Sequence, residues 1–133
     1  MNYQFLEEVG KLFLRLTVGI LMLFHGTAKI LNPGIIDSMG SGLASDGWPA
    51  SVAYGVYVGE VLAPLMIIFG VFSRIGGLLL AINMVLAILM AHTAQLLTLS
   101  KSGGWALELQ GFYLLCGIAI FLLGSGTKAV KPD

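Results

Sequence analysis

The stretch KLFLRLTVGILMLFHGTAKIL, Lys11–Leu31, decides how this chain must fold. Crossing a hydrocarbon core of roughly 30 Å takes about 20 mostly apolar residues, and this run is long enough. Its apolar residues surround the helix axis instead of forming one stripe, as expected of a helix that faces lipid. Yet it carries His25 and Lys29, spaced i, i+4 and therefore on one helical face. Ionisable groups inside a span are costly, and they usually face the bundle interior and pair with one another.

Composition supports the membrane reading. Hydrophobic residues make up 57% of the 133 residues and charged ones 11%, and the mean hydropathy is +0.92. A soluble domain is about 25% charged, so this chain lacks the polar surface it would need in water. It reads as a polytopic membrane protein of a single domain, residues 1–133. The formal net charge is zero, which points to no nucleic-acid partner. Cys116 is the only cysteine, which excludes an internal disulfide, a dithiol redox centre or a cysteine-based zinc site. The start, MNYQFLEEVGK, is mixed in charge and no small-x-small site follows the first apolar run. The first run is therefore expected to be a retained anchor.

Four segments have the length and apolarity of spans: about Lys11–Leu31, Ser51–Phe72, Arg74–Thr98 and Gly104–Leu123. Lipid offers backbone groups no partners, so each is expected to be an α-helix, giving an all-α four-helix membrane bundle. Lys11, Arg15, Arg74, Lys128 and Lys131 flank one side and Lys29 and Lys101 the other. The positive-inside rule then places both termini in the cytoplasm. Arg15 and Arg74 are expected to snorkel toward headgroups. The first loop, NPGIIDSMGSGLASDGWPA, is either an ordinary connection or a segment folded back as a lid, with Trp48 at headgroup depth. Tyr3, Phe5, Leu6 and Val9 have the spacing of a short interfacial helix.

With this orientation, the ionisable residues sort by depth. His25 lies roughly 9 Å from the outer end of the first span, and Glu60 roughly 14 Å below the outer end of the second, at 1.5 Å per residue. His92 and Gln95 close the third span, and Trp105 and Glu108 open the fourth. Tyr57 shares a face with Glu60. One polar pocket in the outer half is expected, built from His25, Lys29, Tyr57, Glu60, His92, Gln95, Trp105 and Glu108. Asn83 and Gln110 stand as uncharged exceptions in the less polar half. Gly55 with Gly59, and Ala87 with Ala91, are small-xxx-small pairs suited to close helix packing.

Two accounts of such a pocket stand side by side. In the structural one, Glu60 and Glu108 neutralise Lys29 and a protonated histidine and lock the helices. Trp105 is then an interfacial belt residue and Lys29 snorkels outward. In the functional one, histidine and carboxylate groups exchange protons with a redox-active quinone held against aromatic rings. His25 and His92 at similar depth also suit the two axial ligands of a b-type haem, although nearby carboxylates are poor neighbours for it. No local ligand motif for zinc is present, so no metal site is assigned.

The segments LRLTVGILMLFHGTAKI, YVGEVLAPLMIIFGVFSRIGGLLLAINMVLAIL and GGWALELQGFYLLCGIAIFLLGSG, in this order, resemble the DoxX family. The most specific pieces are R-x(9)-H-G-x-x-K at Arg15, His25, Gly26 and Lys29, then E-x(9)-G-x-x-x-R at Glu60, Gly70 and Arg74. The third is G-G-W-x-x-E at Gly103, Gly104, Trp105 and Glu108. The resemblance implies a four-helix protein of the bacterial cytoplasmic (inner) membrane, associated with quinone-linked oxidoreductases or with systems managing thiol and oxidative stress. With no cysteine pair and no flavin or dinucleotide fingerprint, the chain is expected to be at most a subunit that needs a soluble or membrane redox partner. No catalytic residue is assigned. The alternative is a non-enzymatic scaffold or small-solute carrier, and a carrier this small would need a homo-oligomer.

Overall fold

The computed structural model describes residues 1–91 and 93–133, with the backbone alone at Ala91, so the expectation for His92 falls outside it. Helix α1, Tyr3–Leu31, is capped by the Asn2 side chain, which accepts the Phe5 N–H at 3.1 Å. It therefore starts a full two turns before the expected span, and the interfacial segment at Tyr3 is continuous with it. At 1.5 Å per residue its 29 residues measure about 43 Å. Pro33 cannot continue the helix, and α2, Gly34–Ser45, sets off from it. Gly47, at φ +88, closes α2, and the Trp48 N–H turns back to the Leu43 carbonyl.

The first loop thus holds a helix. Its buried Ile36 and Leu43 pack with Ala53, Met39 and Met90 over the end of the bundle away from the chain termini. That is the folded-back arrangement rather than an open connection, because three apolar side chains of α2 at helical spacing have somewhere to go.

Helix α3, Ala50–Phe69, is continuous but not uniform. It begins as a 3-10 turn over Ala50–Tyr54, passes through a π turn at Val58–Leu62 and ends as regular helix over Ala63–Phe69. Pro64 explains the π turn. Having no N–H, it cannot bond to the Glu60 carbonyl, and the helix widens so that the Ala63 N–H reaches back to Val58. Gly70, at φ +71, ends α3, and Ser73–Ala91 forms α4. Beyond it come a 3-10 turn at Thr93–Gln95 and a hairpin in which Leu99 pairs with Trp105. Helix α5, Glu108–Leu123, therefore starts later than the expected Gly104, because the hairpin takes the backbone groups before it. Likewise α4 stops short of Thr98.

Successive helices α1, α3, α4 and α5 run antiparallel. Arg15 and Gly19 of α1 meet the end of α3, whereas Gly26 and Lys29 meet Glu60. Gly77 of α4 and Gly117 of α5 lie so close that a Cβ on either would strike the other's carbonyl oxygen. Each of the four helices sends two residues into one core: Val18 and Met22, Ala63 and Ile67, Leu80 and Met84, Tyr113 and Ile120. Phe13, Phe24, Phe69, Leu89, Phe112, Leu115 and Leu122 remain exposed around it. Tyr3–Leu31, Ala50–Phe69 and Ser73–Met90 are long and apolar enough to cross a membrane, and Glu108–Leu123 is apolar but shorter. Its 16 residues measure about 24 Å.

The chain after α5 folds back over the end of the bundle that holds both termini. The N–H groups of Val130 and Lys131 bond to the carbonyls of Phe69 and Gly70. Arg15, 1% exposed, sits beneath this tail and does not snorkel. Its Nε donates to the Ile67 carbonyl at 2.9 Å and its Nη2 to that of Ile68 at 3.1 Å. Its Nη1 donates to Ser125 and Lys128 at 2.8 and 2.9 Å. Arg74 likewise turns inward, to the Phe121 and Leu122 carbonyls. The last carbonyls of a helix lack internal partners, and a guanidinium with five donors is well shaped to satisfy them.

Candidate functional site

A cavity of about 450 Å³ opens between the helices at the far end, under α2. Its polar lining is His25 and Lys29 from α1, Glu60 from the π turn, Asn83 from α4, and Gln110 and Tyr113 from α5. Met22, Met39, Met84 and Met90 supply much of the rest. Methionine is unbranched and polarizable, and it suits a surface that must fit a ligand loosely.

Half of the polar lining is already paired. Lys29 Nζ lies 2.5 Å from Glu60 Oε1, and Asn83 Nδ2 donates to Glu60 Oε2 at 3.2 Å. Both carboxylate oxygens are thus engaged, and Glu60 is 6% exposed. Glycines make this geometry possible. A Cβ on Gly26 would collide with the Glu60 carbonyl oxygen, and a Cβ on Gly59 would collide with the Asn83 side chain. The Tyr57 hydroxyl donates to the Lys29 carbonyl at 3.2 Å, bracing the end of α1 from outside the cavity lining.

The other half is open. His25, Gln110 and Tyr113 make no side-chain hydrogen bond among the described residues, although Tyr113 is only 7% exposed. The His25 and Tyr113 rings meet edge to face at 6.0 Å and 87°. One wall is therefore a closed, charge-neutral unit, and the other offers an imidazole, an amide and a phenol. This is chemistry suited to gripping the oxygens of a planar guest.

Of the other expected site residues, His92 lies outside the described residues and three lie elsewhere. Gln95 is exposed on its 3-10 turn. Trp105 precedes α5; its ring covers Gly111, and its indole N–H donates to the Leu96 carbonyl at 2.8 Å. Glu108 opens α5 but lines a separate groove of about 320 Å³ with Thr17, Val18, Leu21, Leu109, Phe112 and Tyr113. Of the eight residues expected in one pocket, the structure brings His25, Lys29 and Glu60 into the cavity, with Tyr57 beside it. Asn83, Gln110 and Tyr113 join them. Being neutral, they gave no charge signal in the sequence, although Asn83 interrupts an otherwise apolar helix. Among the described residues, no three histidine, cysteine, aspartate or glutamate side chains are grouped to hold a metal ion.

The DoxX family model matches residues 10–93, which cover most of α1 and all of α2 to α4 but not the hairpin and α5. A Bacillus subtilis (strain 168) protein named "Putative oxidoreductase CatD" is 32% identical over 99% of this chain and 90% of its own length. An uncharacterized protein of Haemophilus influenzae is 31% identical over 89% of this chain and 85% of its own. No solved structure matches the chain.

Proposed function

The chain belongs to the DoxX family, and from that premise we propose that it is an integral inner-membrane subunit of a quinone-linked oxidoreductase. In this reading residues 1–133 form one DoxX-like domain with four spans, both termini cytoplasmic, and the cavity opens toward the periplasmic half. Apolar helices and a family relative named as an oxidoreductase support a membrane, oxidoreductase-associated role.

The observation that carries the ligand reading is the contrast inside the cavity. Lys29, Glu60 and Asn83 satisfy one another, whereas His25, Gln110 and Tyr113 face about 450 Å³ of mostly apolar space with their polar atoms unused. A small-molecule site combines an apolar wall with a few well-placed polar groups in this way. A quinone ring fits it, with its carbonyl oxygens accepting from the Tyr113 hydroxyl and the Gln110 amide. Its reduction to the quinol takes two electrons and two protons. Cys116 alone cannot form a dithiol couple, so the electrons come from a redox partner. His25, at the exposed edge of the cavity, is placed to pass protons.

The test is binding of a short-chain benzoquinone to the purified protein in detergent. Tyr113→Phe and Gln110→Leu should each weaken it by about tenfold, the equivalent of about 1.4 kcal/mol. If the protein binds no quinone, and membranes carrying Tyr113→Phe reduce quinone at the wild-type rate, the reading is wrong. A scaffold role is favoured by the closed Lys29–Glu60–Asn83 unit, and it predicts that all three open side chains can be replaced without effect.

A further inference from the structure

The helices of the bundle are not joined equally. Glycines draw α1 onto α3, where a Cβ on Gly19 would strike Ile68 and one on Gly26 the Glu60 carbonyl. Gly59 and Gly76 do the same between α3 and α4, and Gly77 and Gly117 between α4 and α5. Among the described residues, no glycine makes such a contact between α5 and α1. The cavity and the smaller groove both lie along this looser seam. His25 of α1 faces Tyr113 of α5 in the cavity, and Leu21 faces Phe112 in the groove. Leu109 and Tyr113 line both spaces.

The groove leads away from the cavity toward the middle of α1. Leu21 lies one turn and Val18 two turns from His25, a descent of roughly 10 Å at 1.5 Å per residue. Its sides are open to the surroundings of the bundle, since Leu21, Leu109 and Phe112 are 50, 53 and 67% exposed. Its carboxylate, Glu108, is exposed on the hairpin side beside Gly104 and leaves this apolar stretch free. At the far end of the bundle, by contrast, α2 covers the cavity. Met39 and Leu43 form part of its lining, and Leu43 is buried with Ile36 and Ala53. A guest arriving there must displace a packed helix, whereas one arriving through the seam need only turn aside the exposed Leu109 side chain.

We propose that the α1–α5 seam is a lateral entrance from the bilayer, and that the guest is a quinone carrying an isoprenoid chain. Its ring occupies the cavity, and the first units of its chain lie against Val18, Leu21 and Phe112. The assignment rests on the quinone reading of the cavity and adds the class of quinone and its route.

The probes are a benzoquinone bearing two isoprene units and the same benzoquinone without the chain. Comparing variants with one probe at a time, on the full chain in detergent, cancels the chain's own partitioning into micelles. Leu21→Trp fills the groove, and Phe112→Ala removes one of its walls. Because surrounding lipid is as apolar as the groove, the chain gains packing alone there, and each variant should weaken the prenylated probe about fivefold. Both should leave the chain-less probe unchanged, and Leu78→Trp, on the exposed side of α4, should change neither. A photoreactive diazirine in the first isoprene unit should label α1 near Leu21 or α5 near Phe112. If both probes bind and neither groove variant separates them, or if the label spreads over the lipid-facing side of α4, the entrance is overturned while the cavity reading stands. If neither probe binds, the quinone reading itself fails and takes the entrance with it.

Discussion

The two ends of the bundle use charge in opposite ways. At the end holding the termini, Arg15 and Arg74 spend their donors on main-chain carbonyls of helix ends and of the tail. Asp133 returns the favour at the start of α4, accepting from the Ser73 hydroxyl at 2.6 Å and from the Arg74 N–H at 3.1 Å. Side chains there complete the backbone and leave little room. At the far end Lys29 and Glu60 satisfy each other instead, the helix beneath them widens at a π turn, and a cavity remains. A charged group that saturates backbone fastens the helices together, whereas one paired with another side chain can line a space that admits a guest.

Replacing Arg15 should therefore break the comparison most severely. Arg15→Leu leaves four carbonyl bonds unmade in a fully buried site, and a loss of about 3–5 kcal/mol is expected. Unfolding in graded denaturing detergent would register it, and Arg15→Lys should recover only a minor part, because a single ammonium cannot span the same acceptors. A smaller effect is expected from Gly26→Val, which pushes a side chain into the Glu60 carbonyl. About 1–3 kcal/mol of overpacking follows, and quinone binding should fall with it because Glu60 must shift.

The ion pair gives the next test. Lys29→Met leaves the buried Glu60 without its cation, and because its carboxylate borders the open cavity the cost is about 1–2 kcal/mol. If the pair is a self-contained unit, adding Glu60→Gln should restore part of that loss. A strictly additive double variant would show that the two charges act separately.

The smallest effect concerns pH at the tail. Burial disfavours the charged form of Asp133, but the Ser73 hydroxyl, the Arg74 and Ser125 N–H groups and the Arg74 guanidinium outweigh it and hold the carboxyl below its ordinary value. A depressed carboxyl contributes stability that is present above the unfolded value, about 3.9, and is lost as pH falls through the folded one. Thermal stability should consequently drop between about pH 4 and pH 2 more in the wild type than in Asp133→Asn. Identical acid profiles would show that the Asp133 carboxylate does not help hold the tail against α4.

Much of this was legible in the chain, and the gaps have physical causes. Apolar length gave the helices, and the i, i+4 spacing with matched depth brought His25, Lys29 and Glu60 together. Gln110 and Tyr113 escaped because neutral polar groups give no charge signal in an apolar helix. Arg15 was misread because an isolated helix offers a guanidinium nothing better than a headgroup. The carbonyls that hold it belong to residues 52 to 113 positions away. Trp105 and Glu108 were expected at the start of the fourth span and in one pocket, but the Leu99–Trp105 hairpin delays α5 and sends them to different neighbours.

The sequence by itself determined an apolar helical membrane chain, its order of helices and the residues too costly to bury alone, since these follow from local composition and transfer energies. Only the tertiary structure decided which acceptor each charge meets. For the arginines that depends on where distant backbone carbonyls are left open, at the ends of α3 and α5 and along the returning tail.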